Sequence, residues 1–158
     1  MKKNYFIIIG LLISIVTFSQ DLEVKSGEIK IPLNRKILIS AENINGQLTD
    51  FKLLNQDKVD KPIDLMKTLD NIEKTECTSN EIEFKFCYAD FMGSKIIVLT
   101  TIHHFKNSIT FKAKIKLKGS DNYNKTSIVE KFPNVLSIEQ WQDEIESIIL
   151  YDFEIKKK

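Results

Sequence analysis

The sequence predicts an all-β protein: an immunoglobulin-like antiparallel β-sandwich carrying one or two short helices. Three observations carry this. Apolar residues recur mainly with period two, in short runs. Turn-forming residues such as Asn45-Gly46 and Lys106-Asn107-Ser108 separate those runs. Only one stretch shows an extended helical period. Many short strands divided by turns build either a sandwich or a barrel, so a small β-barrel is the alternative.

In chain order, Ile29, Ile31 and Leu33 alternate with Lys30, Pro32 and Asn34. Pro32 has no N–H for a ladder, which predicts an edge strand or the start of one. Residues 36–42 form a β-branched run that breaks at Asn45-Gly46, and residues 50–54 supply a third strand. Between 60 and 73 the period changes, with Ile63, Met66, Leu69 and Ile72 spaced by three along one helical stripe. Asp60 is placed to cap that helix and Pro62 suits its first turn. Strands resume at 81–89, where Ile82, Phe84 and Phe86 alternate with Glu83 and Lys85. Residues 95–105 are apolar on both faces, the mark of a central strand. Residues 109–118 put Phe111, Ala113, Ile115 and Leu117 on one face and Lys112, Lys114, Lys116 and Lys118 on the other. The short links between these three strands predict an antiparallel meander. After a polar loop at 119–125 comes a short strand at 126–131. Ser137-Ile138-Glu139-Gln140 has the form of a capping box, which predicts a helical turn at Trp141. The last strand, 148–156, carries Ile149, Tyr151, Phe153 and Ile155 on one face.

The first residues have the layout of a secretory signal peptide: Lys2 and Lys3, an apolar stretch from Tyr5 to Phe18, then Thr17-Phe18-Ser19 as a processing site. The apolar run is shorter than the ~20 residues of a spanning helix. Cleavage after Ser19 leaves residues 20–158 as a single domain that begins at Gln20, which can cyclise. That part is close to neutral, which gives no general attraction to nucleic acid or anionic membrane and no membrane anchor after cleavage. The expected location is the periplasm or the outside of the cell. Cys77 and Cys87 lie ten residues apart, and an extended strand at 82–87 runs ~17 Å at ~3.3 Å per residue. A disulfide needs its Cα atoms within ~7 Å, so two separate small apolar residues fit better.

Thr126-Ser127-Ile128-Val129, Phe132-Pro133, Ile138-Glu139-Gln140-Trp141 and the run from Ile145 to Phe153 together resemble the C-terminal signature of small exported bacterial proteins of no assigned function. Phe111-Lys112-Ala113-Lys114-Ile115 is similar to theirs too, whereas Gln142 stands where that group has Pro after the Trp. The Lys/Ile/Asn-rich composition and the Ser19-Gln20 junction resemble exported proteins of Bacteroidetes. The resemblance covers about the last third of the chain. It implies a shared sandwich-like domain and no particular activity.

Candidate sites are few. His103 and His104 are adjacent on a strand and so point to opposite faces, and zinc wants three or four converging ligands. No metal or cofactor is expected. One histidine beside Cys87 would make a nucleophile–base pair. Lys112, Lys114, Lys116 and Lys118 form a row ~20 Å long that could hold a polyanion, or else a solvated face balanced by acids on neighbouring strands such as Glu81 and Glu83. Trp141, the single tryptophan, is either an exposed recognition anchor or a plug at one end of the core. No nucleophile elbow, phosphate-binding glycine loop or His-Glu-x-x-His helix occurs. These features together predict an exported, non-enzymatic module that binds another envelope or extracellular protein. Two other readings stand beside it. One is an immunity or inhibitor protein against an exported toxin or enzyme. The other is a hydrolase with a non-local site, which requires Cys87, a histidine and an acid in one pocket.

Overall fold

The computed structural model describes residues 22–25, 27–70 and 80–156. The expected signal peptide at 1–19, Cys77 and the end of the expected helix at 71–73 lie outside them. The described residues form eleven strands and one short helix: β1 (Glu23–Lys25), β2 (Glu28–Pro32), β3 (Arg35–Ile44), β4 (Gln47–Lys58), β5 (Ile63–Asp64), α1 (Leu65–Asp70), β6 (Glu81–Phe91), β7 (Ser94–His103), β8 (Ile109–Leu117), β9 (Tyr123–Thr126), β10 (Ser137–Trp141) and β11 (Ile145–Ile155).

The strands make one hydrogen-bonded sheet that folds over on itself into two layers without closing into a barrel. One layer runs β4-β3-β6-β7-β10, and the other runs β1-β2-β11-β8-β9. They are joined at a corner, where Glu154 of β11 pairs with Gln47 of β4. Between them Phe84 of β6 meets Phe111 of β8 edge-on, with ring centroids 5.6 Å apart, and Phe153 of β11 stacks at 5.0 Å from Phe111. A sheet with one apolar face must bury it against another, which is why the chain doubles over. The sandwich expected from the alternation is therefore present, and the barrel alternative is not.

Local chemistry explains the turns. The β3–β4 hairpin closes through Asn45 (φ 55°) and Gly46 (φ 92°), and the β6–β7 hairpin through Met92 (φ 49°) and Gly93 (φ 80°). Two-residue hairpins of this hand need positive φ at both central positions, which Asn and Gly supply at least cost. β7 is buried over most of its length on both faces, as its sequence predicts. Ile97 and Leu99 join the central core. Ile96 and Val98 pack outside with Cys87, Ala89 and Leu65 of α1 in a second cluster.

Five local expectations are corrected. The three central strands do not form a meander. β6 and β7 pair, but β8 crosses to the other layer and pairs with β11 and β9. The β7 edge this leaves open is taken by β10, so residues 137–141 are extended, with Ser137 opposite Thr101 and Trp141 opposite Ile97. The weak local preference of Ser-x-x-Gln for a helix cap loses to sheet completion. α1 is capped by Asp64, whose Oδ1 accepts the Lys67 N–H at 3.2 Å, and not by Asp60, because Ile63 and Asp64 are first drawn into a parallel pairing with β6. Its buried contact is Leu65, while Met66 faces water. The loop expected at 119–125 holds most of β9, and the strand expected at 126–131 is reduced to Thr126 and an isolated bridge from Lys131 to Ile109. On β11 the inward residues are Ile148 and Leu150 and then Phe153. A register shift between Tyr151 and Glu154, with Asp152 at φ 53°, flips the face half-way along.

Candidate functional site

The lysine row lies where its alternation puts it. Phe111, Ala113 and Ile115 are buried, Leu117 is partly so, and the lysines point outward. Their charges are met, but by acids of β11 and its approach, not by Glu81 and Glu83. Lys112 pairs with Asp152 at 2.8 Å, Lys116 with Glu146 at 3.1 Å and Lys118 with Glu144 at 3.0 Å. Those hydrogen-bonded carboxylates hold the three ammonium groups above the usual lysine range. Lys114 lies over the Tyr151 ring at 4.5 Å. A face neutralised in this way offers little field to a polyanion.

Trp141 is half-buried at the end of β10. Its ring meets Phe86 edge-on at 6.3 Å, and its Nε1–H donates to Thr126 Oγ1 at 3.0 Å. Two strand ends are tied together by it. Cys87 and His103 lie on opposite faces of the β6–β7 layer: Cys87 in the outer cluster, His103 on the inner face with Leu99. Burial pushes the Cys87 thiol up to about 11, far from a reactive thiolate. The structure does not bring this nucleophile–base pair together. Among the described residues no three His, Cys, Asp or Glu side chains converge as a metal site.

The segment that leads from β9 into β10 departs most from ordinary folding rules. Val129 is 63% exposed, Phe132 57% and Val135 51%, while Lys131 between them has a side chain only 1% exposed. Three of the eight large apolar side chains exposed among the described residues thus fall within seven consecutive positions. Lys131 points into the core. Its Nζ donates to Glu139 Oε1 at 2.5 Å and sits 5.7 Å from the centre of the Phe111 ring. Burial pulls this ammonium below the ordinary lysine range, and Glu139 works against that pull. Glu139 also accepts the Val129 N–H at 2.9 Å.

The backbone of the segment is fastened as well. Lys131 exchanges both main-chain hydrogen bonds with Ile109 at 2.9 Å. The Nε2–H of His103 donates to the Lys131 carbonyl at 3.1 Å, and the Asn134 N–H donates to the His103 carbonyl at 2.9 Å. Asn134 has φ 59°, which turns the chain after Pro133, and its side chain bonds to His104. Residues 129–135 are thus inside out, with the Lys131 charge within and Val129, Phe132 and Val135 without, on a fixed frame. The sequence holds a trace of this, since between 127 and 136 neither period two nor period 3.6 sorts apolar from polar residues. The burial of Lys131 has no local signal.

Two hollows flank Lys106 and Asn107 at the same end of the sandwich. One, of about 400 Å³, has a floor of Phe132 and Pro133 with Ser108, Glu130 and Lys156 around it. The other, of about 390 Å³, is lined by Ala41, Phe105 and Ile155 with Asn43 and Asn80. Glu130 is engaged by the Ser108 hydroxyl, and Lys156 lies 4.0 Å from Glu154. Lys106 is exposed at the lip of both hollows. Comparison with protein-family models, with curated proteins and with solved structures finds no match to this chain.

Proposed function

We propose that this chain is an exported, non-enzymatic interaction module of the cell envelope that binds another protein through the surface of residues 129–135 and the hollow beside Phe132. The observation that supports the reading is the inverted segment. Enclosing an ion pair rarely stabilises a fold relative to apolar packing. Exposing Val129, Phe132 and Val135 together forgoes their burial, worth ~1.5–3 kcal/mol for each such side chain. A fold that departs from local rules at one place commonly does so at a site of use, and clustered exposed apolar groups mark interaction surfaces. The partner's chemistry follows from the rim. An apolar side chain fits against Phe132 and Pro133, and carboxylates flanking it would meet Lys106 and Lys156. The periplasm or the cell exterior is the compartment proposed from the leader.

The test is cross-linking and affinity measurement in the protein's own envelope extract, comparing wild type with Phe132→Asp and Lys112→Ala. Phe132 is exposed, so its replacement leaves the core intact. Wild type and Lys112→Ala should hold one partner in a stoichiometric complex, and Phe132→Asp should weaken it at least ~10-fold, the scale of a single interface anchor. Equal capture by all three would place the binding surface elsewhere.

A further inference from the structure

We propose that His103 is an acid-sensitive latch on the binding segment: protonation of its imidazole releases residues 129–135 from the end of the sandwich and disperses the apolar surface they present. This inference rests on the binding reading above and adds its regulation. His103 is fully buried on the inner face of β7. It holds the segment at two points, through its side chain to the Lys131 carbonyl and through its own carbonyl to the Asn134 N–H. Donation from Nε2 fixes the tautomer and leaves Nδ1 as a bare acceptor, and Nδ1 has no hydrogen-bond partner.

The groups around it decide what a second proton meets. The charged groups of the segment and of β10, the Lys131 ammonium and the Glu139 carboxylate, are already paired with each other. Glu130 is turned to Ser108. His104, the residue after β7, is turned to Asn134. β6 places Ile82 opposite His103, β8 contributes Ile109 and Phe111, and Phe105 packs beside the ring at 5.8 Å. On β7 itself, Thr101 Oγ1 is the other buried polar atom without a partner. A proton on Nδ1 would therefore charge a fully buried ring whose one hydrogen bond, to the Lys131 carbonyl, is already made. It would also leave an N–H with no acceptor, a costly arrangement in a low-dielectric interior.

In the released segment the imidazole meets water and titrates in the ordinary range near 6.5. In the closed state burial pulls it below that range, the bond to the Lys131 carbonyl works in the opposite direction, and His104 adds to the lowering. The sign follows. The closed segment is fully stable above about pH 6.5. It loses stability as the pH falls below that value, opening up to ~10-fold more per pH unit until the pH passes the closed-state pKa.

Amide hydrogen exchange on the whole protein, corrected for intrinsic chemistry, tests this with no partner present. From pH 7.5 to 5.0, protection of the Lys131 and Asn134 amides should fall, by up to ~30-fold, while the amides of Phe84 and Leu99 hold theirs. His103→Gln cannot titrate and should abolish the fall, and His104→Gln should retain it. An unchanged wild type, a parallel loss of protection at Phe84 and Leu99, or a fall that persists in His103→Gln would each overturn the latch. Should His103→Gln not fold, the ring titration of wild-type His103 by NMR decides: a midpoint below 6.5 supports the latch and one at or above it refutes it. Affinity at pH 7.5 reads the binding surface separately. Loss of partner on Phe132→Asp without the exchange change would sink the latch alone. The exchange change without any Phe132-dependent partner would sink the binding reading alone.

Discussion

Two lysine–acid pairs in this molecule differ only in where they sit. On the outer face of β8 and β11, Lys116 and Glu146 meet at 3.1 Å with about a quarter of each side chain in water. In the segment before β10, Lys131 and Glu139 meet at 2.5 Å with the lysine enclosed. The first belongs to a region that keeps its charges outward and its large apolar groups inward, with one change of face at Asp152 of β11. The second belongs to a region that reverses that arrangement. An exposed ion pair contributes little because water serves both charges nearly as well. A buried pair is held by the fold around it, and losing one member strands the other. The same chemistry is thus a solvated surface in one place and part of the frame for an exposed apolar patch in the other.

The largest effect should come from the residue that both regions share. Phe111 lies under the lysine row, against Phe84 and Phe153, and its ring also floors the Lys131 site. Phe111→Ala should cost ~3–5 kcal/mol, the range for large-to-small changes in a core, and is read from the shift in urea midpoint at constant slope. That is a large fraction of the ~5–15 kcal/mol of a typical domain. A shift under ~1 kcal/mol would mean that the two layers do not pack as described.

Next comes the comparison itself, made with one substitution at two sites. Lys131→Met leaves the mostly enclosed Glu139 without its cation and should cost ~2–3 kcal/mol. That is below the 3–5 of a fully enclosed pair, because Glu139 keeps some access to water. Adding Glu139→Leu removes the stranded charge and should recover most of the loss. Lys116→Met should leave the urea midpoint nearly unmoved. Equal midpoints for Lys131→Met and Lys116→Met would erase the distinction between the two regions.

How far these regions could be read in the sequence follows from the same physics. The facing of β8 was legible, since burial of one face writes a period of two directly into the residue order, but its crossing to the other layer was not. β7 was legible as central because both of its faces are apolar. β10 was not: whether residues 137–141 pair with β7 depends on which edge β8 leaves open, a fact of topology some thirty residues away. β11 was half legible, because its apolar residues are plain but Asp152 carries a bulge with no sequence signature. At the candidate site, the exposure of Val129, Phe132 and Val135 was hidden behind the burial of Lys131. That burial is possible only because Glu139 and His103 arrive from two other strands. Of the residues the sequence points to, Trp141 ties two strand ends together, and three of the four lysines are paired with carboxylates.

The smallest expected effect lies at the centre of the lysine row, and it bounds what the regular region can do. Lys114 has no carboxylate opposite. Its ammonium rests over Tyr151. A cation–π contact at a partly exposed site contributes ~0.5–1 kcal/mol, and replacement by Ala also removes the apolar stem. Lys114→Ala should therefore shift stability by less than ~1 kcal/mol in urea, several-fold less than Phe111→Ala and less than Lys131→Met. Replacement by Arg, which stacks on the same ring, should restore the wild-type midpoint. A loss as large as that of Lys131→Met would mean that the face of β8 and β11 is itself a built site and not a wetted surface. The division between a rule-keeping scaffold and a rule-breaking segment would then have to be drawn elsewhere.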